Sequence, residues 1–237
     1  MTERRGFLDQ SDDRGLDRGY NGDLFVWDID KTYLDTHFSS WRGLMRIPLE
    51  LAIDKVALPG SVPLLRSIRR GVDHEPVPLY FISGSPKQLR QSIEKKMTLD
   101  GVGFDGLTFK DQWGLARAWR FADISRQVGY KLSALLSYAQ RFDDDARWWF
   151  FGDDVEDDAE IFRLFGRVLS GLRDRALREV LAQRDVHRLD QEAILALASK
   201  LPIREADPVR KIFILAHRRP DAEPDDARIA IMPTFLT

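Results

Sequence analysis

The chain has 237 residues, 43% hydrophobic and 31% charged, enough for one large core or two small ones. Its formal net charge of −2 provides no global attraction to nucleic acid or anionic lipid, and the absence of cysteine excludes disulfides, thiolate nucleophiles and cysteine-based zinc sites. With no apolar run of ~18 residues and no apolar signal core near residue 1, the chain is expected to be cytoplasmic.

Residues 1–22 mix Gly, Asp, Arg and Ser with few apolar anchors, and are expected to be a disordered or loosely held lead-in to one domain over 23–237. Leu24-Phe25-Val26-Trp27 then reads as a buried strand that breaks into Asp28 and Asp30, followed by Thr32. In a parallel α/β sheet the carboxyl ends of strands open into the ligand crevice, which would put both acids where chemistry is done. The plainer alternative is a strand running out into a polar loop. Residues 33–59 are long for a βα connection and hold Phe38, Trp41, Leu44, Met45, Ile47 and Leu49, a set that suits either core packing or a flap at the crevice lip. Pro59-Gly60-Ser61 opens a short helix through Leu64, Leu65 and Ile68 that stops at Gly71.

Leu79-Tyr80-Phe81-Ile82 is a second buried strand, ending in Ser83-Gly84-Ser85-Pro86. Ser85 is expected to cap a helix with Pro86 in its first turn and Leu89, Ile93 and Met97 on one face. Ser83, at the strand end beside free N–H groups, is placed to hold a phosphate. Leu107-Thr108-Phe109 reads as a short strand ending at Lys110, residues 113–121 as a helix, and Lys131 as the opening of another helix carrying Leu132, Leu135, Leu136 and Ala139. Either lysine can reach the crevice, and most lysines are simply solvated.

Trp148-Trp149-Phe150-Phe151 is a third strand, running into Gly152-Asp153-Asp154-Val155-Glu156-Asp157-Asp158, five acids in six residues, before a helix with Ile161, Leu164, Phe165 and Val168. A helix dipole accounts for two of these acids. Carboxylates that converge with Asp28 and Asp30 repel one another unless a cation lies between them. Oxygen ligands without Cys or clustered His favour a hard ion, and a few carboxylates plus substrate phosphate is the usual way to hold Mg2+. Seven arginines against three acids over 163–188 read as a basic helix facing anionic phospholipid or RNA, or more plainly as a solvated face. A helix over 190–199, a strand over 211–216 and an edge strand over 228–232 complete the chain, with His217 read as structural.

Asp28-Ile29-Asp30-Lys31-Thr32, Ser83 after a hydrophobic strand, a following lysine, and Gly152-Asp153 with a further acid downstream resemble, in order and strand-end placement over residues 24–165, the four-motif series of the haloacid dehalogenase (HAD) superfamily. The resemblance implies a Rossmann-like three-layer α/β/α fold with a mainly parallel central sheet and little or no cap domain. It implies a Mg2+-dependent phosphatase in which Asp28 is the nucleophile, forming an aspartyl-phosphate, and Asp30 is first acid and then base. Ser83 and Lys131 would hold the phosphoryl oxygens, with Thr32 and Gly84 beside them. The metal would rest on Asp28, the Asp30 backbone carbonyl and Asp153, supported by Asp157 or Asp158. In the superfamily the lysine opens the helix before the last acidic strand, which favours Lys131 over Lys110.

Ser83-Gly84-Ser85-Pro86 with Gln88-Leu89, and Gly152-Asp153 through Asp158-Ala159-Glu160-Ile161-Phe162, further resemble the capless phosphatidate phosphatase-like branch. That branch carries an acid where Lys31 stands and a small residue where Asp154 stands. The expected partner is a phosphorylated substrate, with a lipid, a macromolecule and peripheral membrane contact all left open and nucleic acid not favoured. The alternatives are a catalytically silent scaffold that keeps the fold, and a polynucleotide phosphate-processing enzyme.

Overall fold

In the computed structural model, which describes residues 2–5, 8–12, 20–34, 56–71, 75–110, 124–218 and 223–236, the apolar runs become the middle of one sheet. Its strands are β1 (Thr2–Arg5), β2 (Leu8–Ser11), β3 (Asp23–Asp28), β4 (Leu79–Pro86), β5 (Gly106–Lys110), β6 (Arg147–Asp153), β7 (Val209–Leu215) and β8 (Ile229–Met232). They lie side by side in the order β1-β2-β5-β4-β3-β6-β7-β8. From β5 across to β8 every neighbouring pair is parallel. Counted along these six strands the order is 3-2-1-4-5-6, the doubly wound Rossmann arrangement. Strand order reverses between β3 and β6, so the crevice opens at their carboxyl ends.

Strands buried on both faces carry apolar side chains continuously. Leu24 and Val26 of β3, Tyr80 of β4, and Trp148 and Phe150 of β6 face one core, and Trp27, Leu79 and Phe81 face the other. Helices α1 (Ser61–Arg70) and α2 (Arg90–Leu99) cover the second face through Leu65, Ile93 and Met97. The first face is covered by α3 (Ile124–Ala139), α4 (Asp158–Leu169), α5 (Asp174–Gln183) and α6 (Arg188–Ala198), through Leu132, Leu135, Phe162, Phe165, Leu181 and Ile194. The result is a three-layer α/β/α fold. Trp27 and Phe151 are register partners on β3 and β6, and their rings stack 4.0 Å apart, which fixes the two acidic strand ends side by side.

Four expectations change. Leu8–Ser11 lies in the segment expected to be loose, yet it pairs antiparallel with β5 and buries Leu8, Gln10 and Ser11. The polar side chains are accommodated because the sheet supplies partners: Gln10 Nε2 donates to Thr108 Oγ1 (3.1 Å) and to the Ala134 carbonyl (3.3 Å), and Ser137 Oγ donates to Gln10 Oε1 (2.9 Å). Helix α3 begins at Ile124, so Lys131 stands inside it rather than opening it. Pro86 closes β4 and is followed by a short 3-10 turn (Lys87–Leu89), so Ser85 caps no helix. The arginine-rich stretch is not one helix, because α4 ends at Leu169, the chain turns through Gly171 at φ 111°, and α5 begins at Asp174. The expected flap over 33–59 beyond Leu34, up to residue 55, and the expected helix over 113–121 fall outside the described residues. Among the described residues no helix is long and apolar enough to cross a membrane.

Gln10→Ala leaves the Ser137 hydroxyl without its acceptor inside the core, and a buried group so orphaned costs about 1–3 kcal/mol. Urea unfolding of the variant is expected to show that loss; an unchanged midpoint would mean that β2 is not seated on the sheet.

Candidate active site

The β3 ladder continues one residue past Asp28, with the Ile29 amide donating to the Ile82 carbonyl (3.0 Å), and the chain then folds back at once. Tyr33 and Leu34 both donate to the Ile29 carbonyl (3.0 Å each), and Lys31 sits at φ 60°. A non-glycine residue in that left-handed region costs on the order of 1 kcal/mol or more, so the turn is held by its surroundings. It carries Asp28, Asp30 and Thr32, all buried, to the mouth of the crevice.

Asp28 faces α3. Lys131 Nζ lies 2.8 Å from Asp28 Oδ1 and 3.0 Å from Glu156 Oε2, and also pairs with Asp158. Thr32 Oγ1 donates to Asp28 Oδ2 over 3.5 Å. Oxygens of Asp28, Asp153 and Asp158, all three buried, lie within 4.8 Å of one another. Of the two acids that the sequence left open, Asp158 belongs to this group, whereas Asp157 is exposed in a left-handed conformation at the start of α4. Lys131 is the lysine that meets Asp28, while Lys110 Nζ lies 5.9 Å from the Tyr130 ring centroid.

Glycine is required before Asp153 for a steric reason. A Cβ on Gly152 would lie 2.5 Å from Asp158 Cβ and 2.4 Å from Asp158 Oδ2. Its absence lets Asp158 fold against the strand end, where Oδ2 accepts from the Asp153 amide (3.1 Å). Asp153 Oδ1 accepts from the amides of Val155 and Glu156. Asp153 Oδ2 is buried with no hydrogen-bond partner among the described residues.

Four carboxyls thus surround one ammonium. Burial pushes the Asp28 carboxyl well above the usual range, against the attraction of Lys131 and with the help of Asp158, Glu156 and Asp153. Burial and the Asp158 charge push Asp153 up to about 7, and burial likewise raises Asp158. Lys131 is itself pushed above the usual lysine range, because the pull of Asp158, Asp28 and Glu156 outweighs its burial. The orphaned Asp153 oxygen, the converging triad and the excess of negative charge fit a bound divalent cation, held by Asp28, Asp153 and Asp158.

Asp30 belongs to a second group. Ser83 Oγ donates to its Oδ2 (2.8 Å) and Ser85 Oγ to its Oδ1 (3.1 Å), all within a buried pocket. Ser83 Oγ also accepts from the Ser85 amide (3.1 Å), and Tyr130 donates to the Ser83 carbonyl (2.8 Å). A Cβ at Gly84 would come within 2.7 Å of the Gln127 amide, which closes over this loop from α3. The sequence placed Ser83 here and singled out Ser85 chiefly as a helix cap, whereas Tyr130, Gln127 and Glu156 went unrecognised. Of these three only Glu156, inside an acidic run, carried a local signal.

No protein-family model and no curated protein matches the chain. Two solved structures are similar at low identity. A protein from Mesorhizobium loti, described provisionally as a HAD-like phosphatase, is 11% identical with a TM-score of 0.49, covering 97% of this chain and 88% of its own. A chain of the Pnkp1/Rnl/Hen1 complex is 12% identical with a TM-score of 0.39, covering 56% of this chain and 40% of its own.

A proton that the folded state holds and the unfolded chain has released costs stability as pH climbs. Asp153, raised from 3.8 to about 7, therefore makes EDTA-treated protein progressively less stable between those values, levelling off above them. A divalent cation replaces protons in the cluster, so millimolar Mg2+ is expected to raise the thermal midpoint more at pH 8 than at pH 5.5. Equal shifts at both pH values, or none, would remove the cation from the triad.

Proposed function

We propose that the chain is a HAD-type, Mg2+-dependent phosphatase that hydrolyses a phosphomonoester through an aspartyl-phosphate on Asp28. The observation that carries this reading is the meeting of Asp28, Asp153, Asp158 and Lys131 at the crevice between β3 and β6, with one Asp153 oxygen left unpaired. The buried Asp30, two residues from the nucleophile, supplies the second acid that a phosphatase needs.

Asp28 attacks phosphorus, the ester bond to the leaving oxygen breaks, and Asp30 protonates that oxygen. Water then attacks the acyl phosphate, Asp30 takes its proton, and phosphate leaves with Asp28 restored. Lys131, 2.8 Å from Asp28, lies beside the incoming phosphoryl group and offsets its charge. The hydroxyls of Ser83 and Ser85 hold the two oxygens of Asp30 in one orientation. For Ser83 to hold a phosphoryl oxygen as well, its hydroxyl must exchange Asp30 for the substrate. Thr32 steadies the other oxygen of Asp28, and the lack of a side chain at Gly84 lets the Gln127 amide pack against the loop at the substrate side of the crevice. Mg2+ bound by Asp28, Asp153 and Asp158, with the Asp30 carbonyl, would neutralise charge that builds on the transferring group.

The proposed substrate is a phosphomonoester. The Ser83-Gly84-Ser85-Pro86 resemblance keeps a phosphatidate-like lipid within the panel, while Lys31 and Asp154 depart from that branch. The scaffold alternative has nothing in the site to favour it, since every acid that the chemistry needs is in place.

Phosphate release is measured from a chromogenic phosphomonoester, phosphatidate and a 5′-phosphorylated oligonucleotide. Activity should vanish in EDTA and in Asp28→Asn, and fall by about 10²–10⁴-fold in Asp30→Asn. Inert, well-folded, Mg2+-loaded wild type would turn the reading toward the scaffold.

A further inference from the structure

The turn that carries Asp30 is gripped from a strand two places away. His217 follows β7, and its Nε2 lies 2.7 Å from the Lys31 carbonyl oxygen. A carbonyl only accepts, so Nε2 carries the hydrogen and donates it; that holds for the neutral Nε2–H tautomer and for the imidazolium alike. The residue so held is the left-handed Lys31, next in sequence to Asp30.

The backbone that carries the imidazole is fixed as well. The amides of His217 and Arg218 both donate to the Asp154 carboxylate, at 2.8 Å to Oδ1 and 2.8 Å to Oδ2 respectively, and the Asp154 amide donates back to the Leu215 carbonyl (3.3 Å). Asp154 is the neighbour of Asp153. A continuous line of hydrogen bonds therefore joins the loop of the acidic triad, the end of β7 and the turn of Asp28 and Asp30. It passes through no group assigned to the chemistry.

We infer that His217 is a positioning residue: anchored by Asp154, it clamps the Lys31 carbonyl and so sets the placement of Asp30 relative to Asp28. The inference rests on the reading that these two acids perform phosphoryl transfer. The clamp also gives Asp154 a role distinct from metal binding. Because His217 is exposed, replacing it leaves both cores intact.

Three proteins are compared: wild type, His217→Ala, and His217→Gln, whose amide nitrogen reaches about as far as the imidazole Nε2. The first measurement is amide hydrogen exchange over residues 29–34, with 23–28 in β3 as internal control. The alanine variant should exchange roughly tenfold or more faster in the turn and unchanged in the strand, and glutamine should restore protection. The second is steady-state phosphate release. A misplaced general acid lowers kcat by roughly tenfold to a hundredfold in the alanine variant with KM little changed, and glutamine should recover most of it. Unchanged exchange in His217→Ala overturns the clamp. Faster exchange with unaltered kcat overturns its bearing on catalysis, and a KM effect alone would make His217 a substrate contact instead. Should wild type release no phosphate, the phosphatase reading fails by itself, while the exchange pattern still decides the clamp.

Discussion

Lys131 Nζ reaches the carboxylates of Asp28, Asp158 and Glu156 in a pocket almost closed to water, with Asp153 alongside. Charges removed from water are tolerated only when their partners compensate, and one ammonium cannot compensate four carboxylates. The imbalance is visible as raised carboxyls and as an Asp153 oxygen with nothing to accept. Much else in the molecule serves to keep these groups together despite their repulsion. Trp27 stacked on Phe151 locks the register of β3 and β6, and Gly152 makes space for Asp158. Helix α3 carries Lys131 in from the opposite layer on a face otherwise filled by Leu132, Leu135 and Leu136.

The five acids that begin at the end of β6 do different work although they look alike in the sequence. Asp153 and Asp158 point inward with Asp28, and Glu156 balances Lys131 from the rim. Asp154 turns outward to bind the amides beyond β7, and Asp157 is exposed in the left-handed corner that starts α4. Such a division follows from geometry: a tight turn sends successive side chains in different directions, so a run of like charges need not share one site.

The arginines after residue 160 are likewise distributed. Arg163 pairs with Glu160 and Asp225, and Arg184 with Glu160, while Arg173 donates to the Val168 and Leu201 carbonyls where α4 has ended. Arg175 and Arg188 make exposed pairs one turn along their own helices, interactions worth about 0.3–0.5 kcal/mol. These contacts knit α4, α5 and the segment before β8 into the sheet. They favour the plainer alternative, a solvated and internally paired face, over a continuous basic stripe for phospholipid or RNA.

What was legible in the sequence is what local pattern governs. Apolar runs four residues long marked the centres of β3, β4 and β6, and their abrupt ends in Asp28, Ser83 and Asp153 marked the crevice, because burial demands apolar side chains and the strand ends are freed from that demand. The Gly60 and Gly71 boundaries of α1 were legible for the same kind of reason, both residues lying at positive φ. The tertiary structure alone decided which partner each polar group meets. Leu8–Ser11 has no strand pattern of its own, but the free edge of β5 and the hydroxyls of Thr108 and Ser137 make it one. Ser85 serves Asp30 instead of a helix, Asp158 rather than Asp157 enters the triad, and His217 grips a turn 186 residues away in sequence. Hydrophobic periodicity is a property of neighbours along the chain, whereas a hydrogen bond or ion pair is a property of neighbours in space, and only the assembled sheet brings the latter together.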